Sequence, residues 1–225
     1  MSALIIAIDG PSAAGKSTLA KRLAKDLGFT YLDTGAMYRA LALKVLRERI
    51  DISNHEGLAE LVGRTEIDLF GKSGSLQVLL DGEDVSGVIR TPEVSQMASR
   101  ASALKPVRQW MLKLQRALGQ RGSVVAEGRD IGTVVFPNAE VKIYLDASVQ
   151  ERARRRVEEL RNAGRQVSLD ETLREMTERD KRDSERDLAP LRKAADAIAI
   201  DSSSLDAEAL AQRVMQDIRR KALKN

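Results

Sequence analysis

Leu4-Ile5-Ile6-Ala7-Ile8-Asp9, followed by Gly10-Pro11-Ser12-Ala13-Ala14-Gly15-Lys16-Ser17-Thr18, is the stretch that decides how this chain folds. An apolar run that ends on an acid reads as a buried strand. Beyond the loop, Leu19, Leu23 and Leu27 recur every four residues with Ala20 and Ala24 beside them, which predicts a helix starting near Lys16. Gly28 is its expected C′ residue. A strand, a G-x4-G-K-S loop and a helix, in that order, are the setting in which such a loop holds a nucleoside triphosphate. Small residues let the backbone turn its N–H groups toward phosphate oxygens, and the helix start adds its positive dipole end. Lys16 is expected at the β/γ-phosphates, and the Ser17 hydroxyl in a Mg2+ shell otherwise made of oxygen and water. The nucleotide-binding candidates are therefore Gly10, Pro11, Ser12, Ala13, Ala14, Gly15, Lys16, Ser17 and Thr18.

Working outward, Thr30 to Asp33 reads as a short strand leading into a helix through Met37, Leu41 and Val45. Ser53 with Glu56 fits a capping box that places His55 in an exposed first turn. Glu66-Ile67-Asp68-Leu69 alternates with period two, as do Leu76, Val78 and Leu80 after a Gly71-Lys72-Ser73-Gly74-Ser75 turn. Asp81-Gly82 signals a hairpin, with a third strand through Val85. Thr91 and Pro92 form an N-cap and N1 pair, and Pro106 opens another helix with Val107, Trp110, Leu114 and Leu118 facing a core. Strands are expected at Ser123–Glu127, Val141–Asp146 and Ala197–Asp201, the last before a helix through Leu210, Val214 and Ile218. Five apolar strands separated by helices predict a parallel α/β sheet, a three-layer P-loop NTPase-type sandwich with a small antiparallel insert.

Composition narrows the function. The 225 residues are 43% hydrophobic and 31% charged, a globular balance. With no cysteine and one histidine there is no disulfide framework, no thiolate nucleophile and no two-histidine metal site. The apolar run from Ala3 to Ile8 is too short for a membrane span or a signal segment, so the expectation is a cytoplasmic protein with no membrane partner. The net charge of +4 invites a nucleic-acid reading. Between Glu151 and Asp187, however, eleven basic and eleven acidic residues interleave, and aromatics are only 3%. A polyanion stripe with stacking platforms would look different, so no nucleic-acid partner is expected.

Three arginine-bearing clusters point to anions. Asp33-Thr34-Gly35-Ala36-Met37-Tyr38-Arg39 puts an arginine one turn into a helix, near enough to its N-terminus to fork onto a phosphate. Glu127-Gly128-Arg129-Asp130 ends another strand on the carboxyl edge, where open α/β sheets bind ligands. Arg152, Arg154, Arg155 and Arg156 on one helix precede Arg179, Arg182, Asp183 and Arg186 on the next, joined at Gly164. Two such helices suit a lid over a triphosphate, because phosphoryl transfer asks mostly for positive charge around the moving group.

Together with the loop and the Asp33–Arg39 turn, three motifs resemble the bacterial cytidylate kinases within the nucleoside monophosphate kinases: Ser86-Gly-Val-Ile-Arg-Thr-Pro-Glu-Val94, Gly128-Arg-Asp-Ile-Gly-Thr-Val-Val-Phe-Pro137 and Glu178-Arg-Asp-Lys-Arg-Asp-Ser-Glu-Arg186. The resemblance runs from about Ala3 to Ser202. It implies one kinase domain over residues 1–225, with a substrate-side subdomain at about 64–100 and a lid at about 151–187. It implies ATP-dependent, Mg2+-assisted phosphorylation of CMP and dCMP by a monomeric enzyme of pyrimidine nucleotide metabolism. Arg39 and Arg129 would hold the acceptor phosphate; Ser99, Arg179 and Asp183 the ribose; Thr34, Arg108, Asp130 and Arg186 the base. Lys16, Arg129 and the lid arginines Arg154 and Arg155 would stabilise the transferring group, with Glu127 and Ser17 at the metal. Thr34 stands where the family often has serine, and Glu127 where it often has aspartate. The alternatives are another small-molecule P-loop kinase, acting on UMP, AMP or shikimate, and a non-kinase P-loop NTPase. A GTPase should carry Asn-Lys-x-Asp, which this chain lacks.

Overall fold

A computed structural model describes residues 3–70 and 76–222. Among these, a five-stranded sheet runs in the order β2-β6-β1-β7-β8. The strands are β1 (Ile5–Asp9), β2 (Thr30–Asp33), β6 (Val124–Gly128), β7 (Val141–Asp146) and β8 (Ile198–Asp201), and every neighbouring pair is parallel. Between β2 and β6, strands β3 (Ile67–Phe70), β4 (Gln77–Leu80) and β5 (Glu83–Asp84) form a separate antiparallel sheet. The expected turn at 71–75 lies outside the described residues.

The alternation of a pleated strand splits the core into two layers. Ala7, Val124 and Ala126 face one cluster with α2 (Thr34–Arg47), α3 (His55–Gly63), α4 (Pro92–Ala101) and α5 (Lys105–Gly119). Ile6, Ile8 and Val125 face the other, under α1 (Lys16–Leu27) and α8 (Ala207–Ala222). The remaining helices, α6 (Val149–Asn162) and α7 (Leu169–Glu185), lie against each other beyond the sheet's carboxyl edge. No described helix is long and apolar enough to cross a membrane.

Local chemistry explains most boundaries. Gly28 ends α1 in the left-handed region at φ 69°. Thr91 caps α4 by accepting from Val94 N–H, with Pro92 at its start. Two expectations shift. The cap of α3 is Asn54, whose side chain accepts from Gly57 N–H, while Ser53 donates to Asp51 instead. His55 is exposed in the first turn, as the pattern required. On α5 the deepest stripe is Val107, Met111, Gln115 and Gly119, with Trp110, Leu114 and Leu118 only partly buried beside it. The Phe136 ring packs directly on the last turn of that stripe, where a Cβ on Gly119 would come within 2.3 Å of it.

Candidate active site

Because all five strands run parallel, the loops that follow β1, β2 and β6 leave the same edge side by side. The loop after β1 is held tightly. A Cβ on Gly10 would lie 1.9 Å from the Leu145 carbonyl oxygen, so no other residue fits there. Gly15 takes φ 92° at the start of α1, and no side chain caps that helix end. Its first N–H groups are thus open to an anion. Lys16 folds back over the loop and donates to the Pro11 carbonyl at 2.6 Å. Burial, then the neighbouring Arg129 guanidinium, push its ammonium down. Ser12, Ala13, Gly15, Lys16, Ser17 and Thr18 line the cleft, whereas Gly10, Pro11 and Ala14 sit beneath and shape it.

The acceptor side is built from the next two strand ends. Asp33 caps α2 through Ala36 N–H at 2.8 Å and accepts from Arg39 Nη2 at 3.2 Å. Thr34 Oγ1 donates to the Glu127 carbonyl at 2.6 Å, joining the two turns. Gly128 is required at that junction, since a Cβ would come within 2.7 Å of Thr34 Oγ1. Asp130 is buried and receives a short hydrogen bond from Arg108 Nη2, with Arg186 Nη2 at 3.7 Å. Burial pushes its carboxyl up while Arg108 and Arg186 pull it down. Arg129 Nε donates to Asp183 Oδ2 at 3.0 Å.

Thr34, Arg39, Ser99, Arg108, Arg129, Asp130, Arg179, Asp183 and Arg186 all line one cavity. It continues into the cleft above the phosphate loop, since both share Lys16, Ser17, Arg39 and Arg156. Within it, Arg39 Nε, Arg179 Nε and Arg186 Nη2 are buried with no hydrogen-bond partner. Asp183 is 3.9 Å from Arg179 Nε, too far for a hydrogen bond. Buried donors left open in this way call for a ligand, and the donors are cationic. Arg179 makes the same point: burial and then Arg129, with Arg39 and Arg156 adding, push it down to about 10. An anion in the cavity would relieve that repulsion.

The lid residues divide differently from the sequence pattern. Arg154 is not brought to the cleft. Its side chain is 71% exposed and lies 3.9 Å from Glu151. At about 100° per residue, Arg154 and Arg156 point to roughly opposite sides of α6, and Arg156 is the one that faces the cleft. Arg155 reaches it too, while bonding Ser202 through its carbonyl at 2.7 Å. Arg152 is buried as a strut, donating to the carbonyls of Ala147 at 2.9 Å and Ser12 at 3.3 Å, and pairing with Asp180 at 2.6 Å.

Two residues beside the site, Tyr31 and Tyr38, were not singled out by the sequence pattern, and Arg182 was grouped only with the lid arginines. Tyr31 donates a short hydrogen bond to Glu127, and Tyr38 lines the cavity beside Arg108 and Asp130. Arg182 donates to Ser99 Oγ at 2.9 Å. Tyr31 shares its strand with the polar Thr30 and Asp33, so its hydroxyl carried no distinguishing local signal. The neighbours of Tyr38 in the cavity, Arg108 and Asp130, are distant in sequence and left no local trace, and the same distance hid the bond from Arg182 to Ser99.

For a metal, the described residues hold no group of three or more His, Cys, Asp or Glu that could bind one. The fit is of another kind: Ser17 and Glu127 line the same cavity beside the phosphate loop, and each presents a hard oxygen. Burial and the adjacent Asp33 push the Glu127 carboxyl up, and a cation would offset that cost. A divalent ion held mostly by phosphate and water oxygens suits this pair.

Comparison with known proteins agrees with the geometry. The family model described as cytidylate kinase matches residues 6–220. The chain is 48% identical over 219 residues to a cytidylate kinase of Bacillus subtilis, covering 97% of this chain and 98% of that one. It is 51% identical over 213 residues to a cytidylate kinase of Syntrophotalea carbinolica, covering 95% and 91%. Among solved structures, a shikimate kinase from Bacteroides thetaiotaomicron superposes with a TM-score of 0.51 at 14% identity, over 97% and 99% of the two chains. That last likeness concerns the fold alone. A match over nearly the whole length, with a phosphate loop and an arginine-lined acceptor cavity in one cleft, places this chain in the cytidylate kinase family.

Proposed function

We propose that the protein transfers the γ-phosphoryl group of ATP to CMP and dCMP, with Mg2+ at Ser17 and Glu127. The observation that carries this reading is the continuous cleft, which has the phosphate loop at one end, the unpartnered nitrogens of Arg179 and Arg186 at the other, and that of Arg39 where the two parts join. When bound, Mg2+ neutralises charge on the donor phosphates. The chain's own residues orient and hold charge. Lys16 and the open N–H groups of α1 take the donor phosphates, and Arg129 and Arg39 take the acceptor phosphate. Arg156 and Arg155 flank the space between. The attacking oxygen belongs to a phosphate and is already anionic, so no protein base is needed.

Base recognition follows from polarity. Cytosine presents an amino donor at N4 and acceptors at N3 and O2. Asp130 supplies an acceptor, and Arg108 and Arg186, both beside it, supply donors. A coupled assay of ATP against CMP, dCMP, UMP, AMP and shikimate tests the reading. Release of ADP accelerated by CMP and dCMP above the other three is expected; acceleration by none, or best by UMP, AMP or shikimate, rejects it.

A further inference from the structure

Asp9 is 4% exposed at the end of the central strand, one residue before the phosphate loop. Phosphate-loop chemistry asks nothing of it. Its two oxygens each accept a backbone N–H, Oδ1 from Ile131 and Oδ2 from Gly132, both at 2.7 Å. These two residues directly follow Arg129 and Asp130, where the chain leaves β6 for a single wide turn at Ile131–Val135. One carboxylate on the strand that carries the donor's loop thus grips the turn that carries the acceptor's residues. The grip has a cost. Burial, opposed by the two N–H groups and by Lys16 and increased by Asp130, pushes the carboxyl up to about 6. Tyr144 on the neighbouring strand also feels its charge.

We propose that Asp9 is a positioning residue for phosphoryl transfer, its carboxylate setting where Arg129 and Asp130 stand relative to the phosphate loop. The inference rests on the phosphotransfer reading above. In-line transfer needs donor and acceptor aligned closely, and a displacement of about 1 Å can cost on the order of a hundredfold in rate.

Asp9→Asn keeps the shape but turns an NH2 group toward one of the two N–H donors, so one bond is lost. With saturating ATP and CMP, kcat is expected to fall at least about tenfold while KM for ATP stays within about threefold. Amide exchange at Ile131 and Gly132 should quicken by at least about tenfold, with Val125 and Ala126 on β6 unchanged. Gly132→Ala crowds the gripped turn without altering Asp9: its Cβ would press to 3.1 Å from the Lys142 side chain, which forces a small shift, and would meet Asp9 Oδ2 at an ordinary 3.4 Å. It should show the same split, smaller, and it decides the matter if Asp9→Asn does not fold. A kcat within about threefold of wild type, or a KM for ATP that rises in step with the fall in kcat, overturns the proposal and leaves Asp9 a prop of the phosphate loop. Absence of wild-type turnover with any acceptor would reject the phosphotransfer reading instead. The exchange rates would then still decide whether Asp9 grips the turn, and unaltered exchange would overturn it.

Discussion

Arg129 Nε donates to Asp183 Oδ2 at 3.0 Å, across 54 positions of sequence, so the strand-end turn that bears Arg129 is tied to α7. The pair has a pH signature. Burial by itself would raise the Asp183 carboxyl, but Arg129, Arg179 and Arg186 outweigh it and hold it below its ordinary value. A carboxyl lowered on folding stabilises at pH above its unfolded value, near 3.9, and the contribution disappears as pH falls through the folded value. Asp183→Asn should therefore destabilise by on the order of 3 kcal/mol at pH 7. The gap from wild type should narrow below about pH 4. Denaturant unfolding at several pH values reads it, and a gap that is constant with pH would mean the carboxylate's charge is not what matters.

Lys16→Ala removes a side chain that touches the Pro11 carbonyl and otherwise faces the cleft. Turnover should fall at least ~10²-fold, the cost of losing one positioned electrostatic stabiliser. The fold should survive, because the ammonium is buried at a cost that the substitution removes. Turnover within about threefold of wild type, measured beside a melting curve, would contradict the role given to the loop.

Arg156→Ala should cost more than Arg154→Ala, by about tenfold or more in kcat. Arg156 faces the cleft above the phosphate loop, whereas Arg154 points to solvent on the other side of α6. Equal losses would contradict the placement of Arg156, and not Arg154, at the transferring group. Single-turnover kinetics on the two variants makes the comparison.

Asp130→Asn converts an acceptor into a group that also donates. With UMP, the Asp130 carboxylate would face the O4 acceptor and leave buried acceptors unpaired, at roughly 1–3 kcal/mol. That corresponds to about tenfold to a hundredfold in CMP over UMP. The substitution should narrow the CMP:UMP ratio of kcat/KM and leave KM for ATP nearly unchanged. Since Arg108 and Arg186 both lean on Asp130, some CMP activity should be lost as well. An unchanged ratio would move base selection to the two arginines.

The β1 strand, the loop and α1 were legible in the sequence because each rests on residues within one short stretch: an apolar run, small residues where backbone must approach phosphate, and leucines four apart. The same holds for the five parallel strands and the period-two insert, whose patterns are local consequences of burial. Helical phase was not legible in this way. Four arginines crowd the start of α6, and sequence alone does not say which faces the phosphate loop. The packing of α6 on α7, through Arg152 and Asp180, turns Arg156 inward and Arg154 out. The grip of Asp9 on Ile131 and Gly132, more than 120 positions away, depends on β1 and β6 lying side by side in register. Local sequence determined the elements and the chemistry they carry. Tertiary structure decided which of those side chains meet, because a hydrogen bond between distant segments leaves no period in either one.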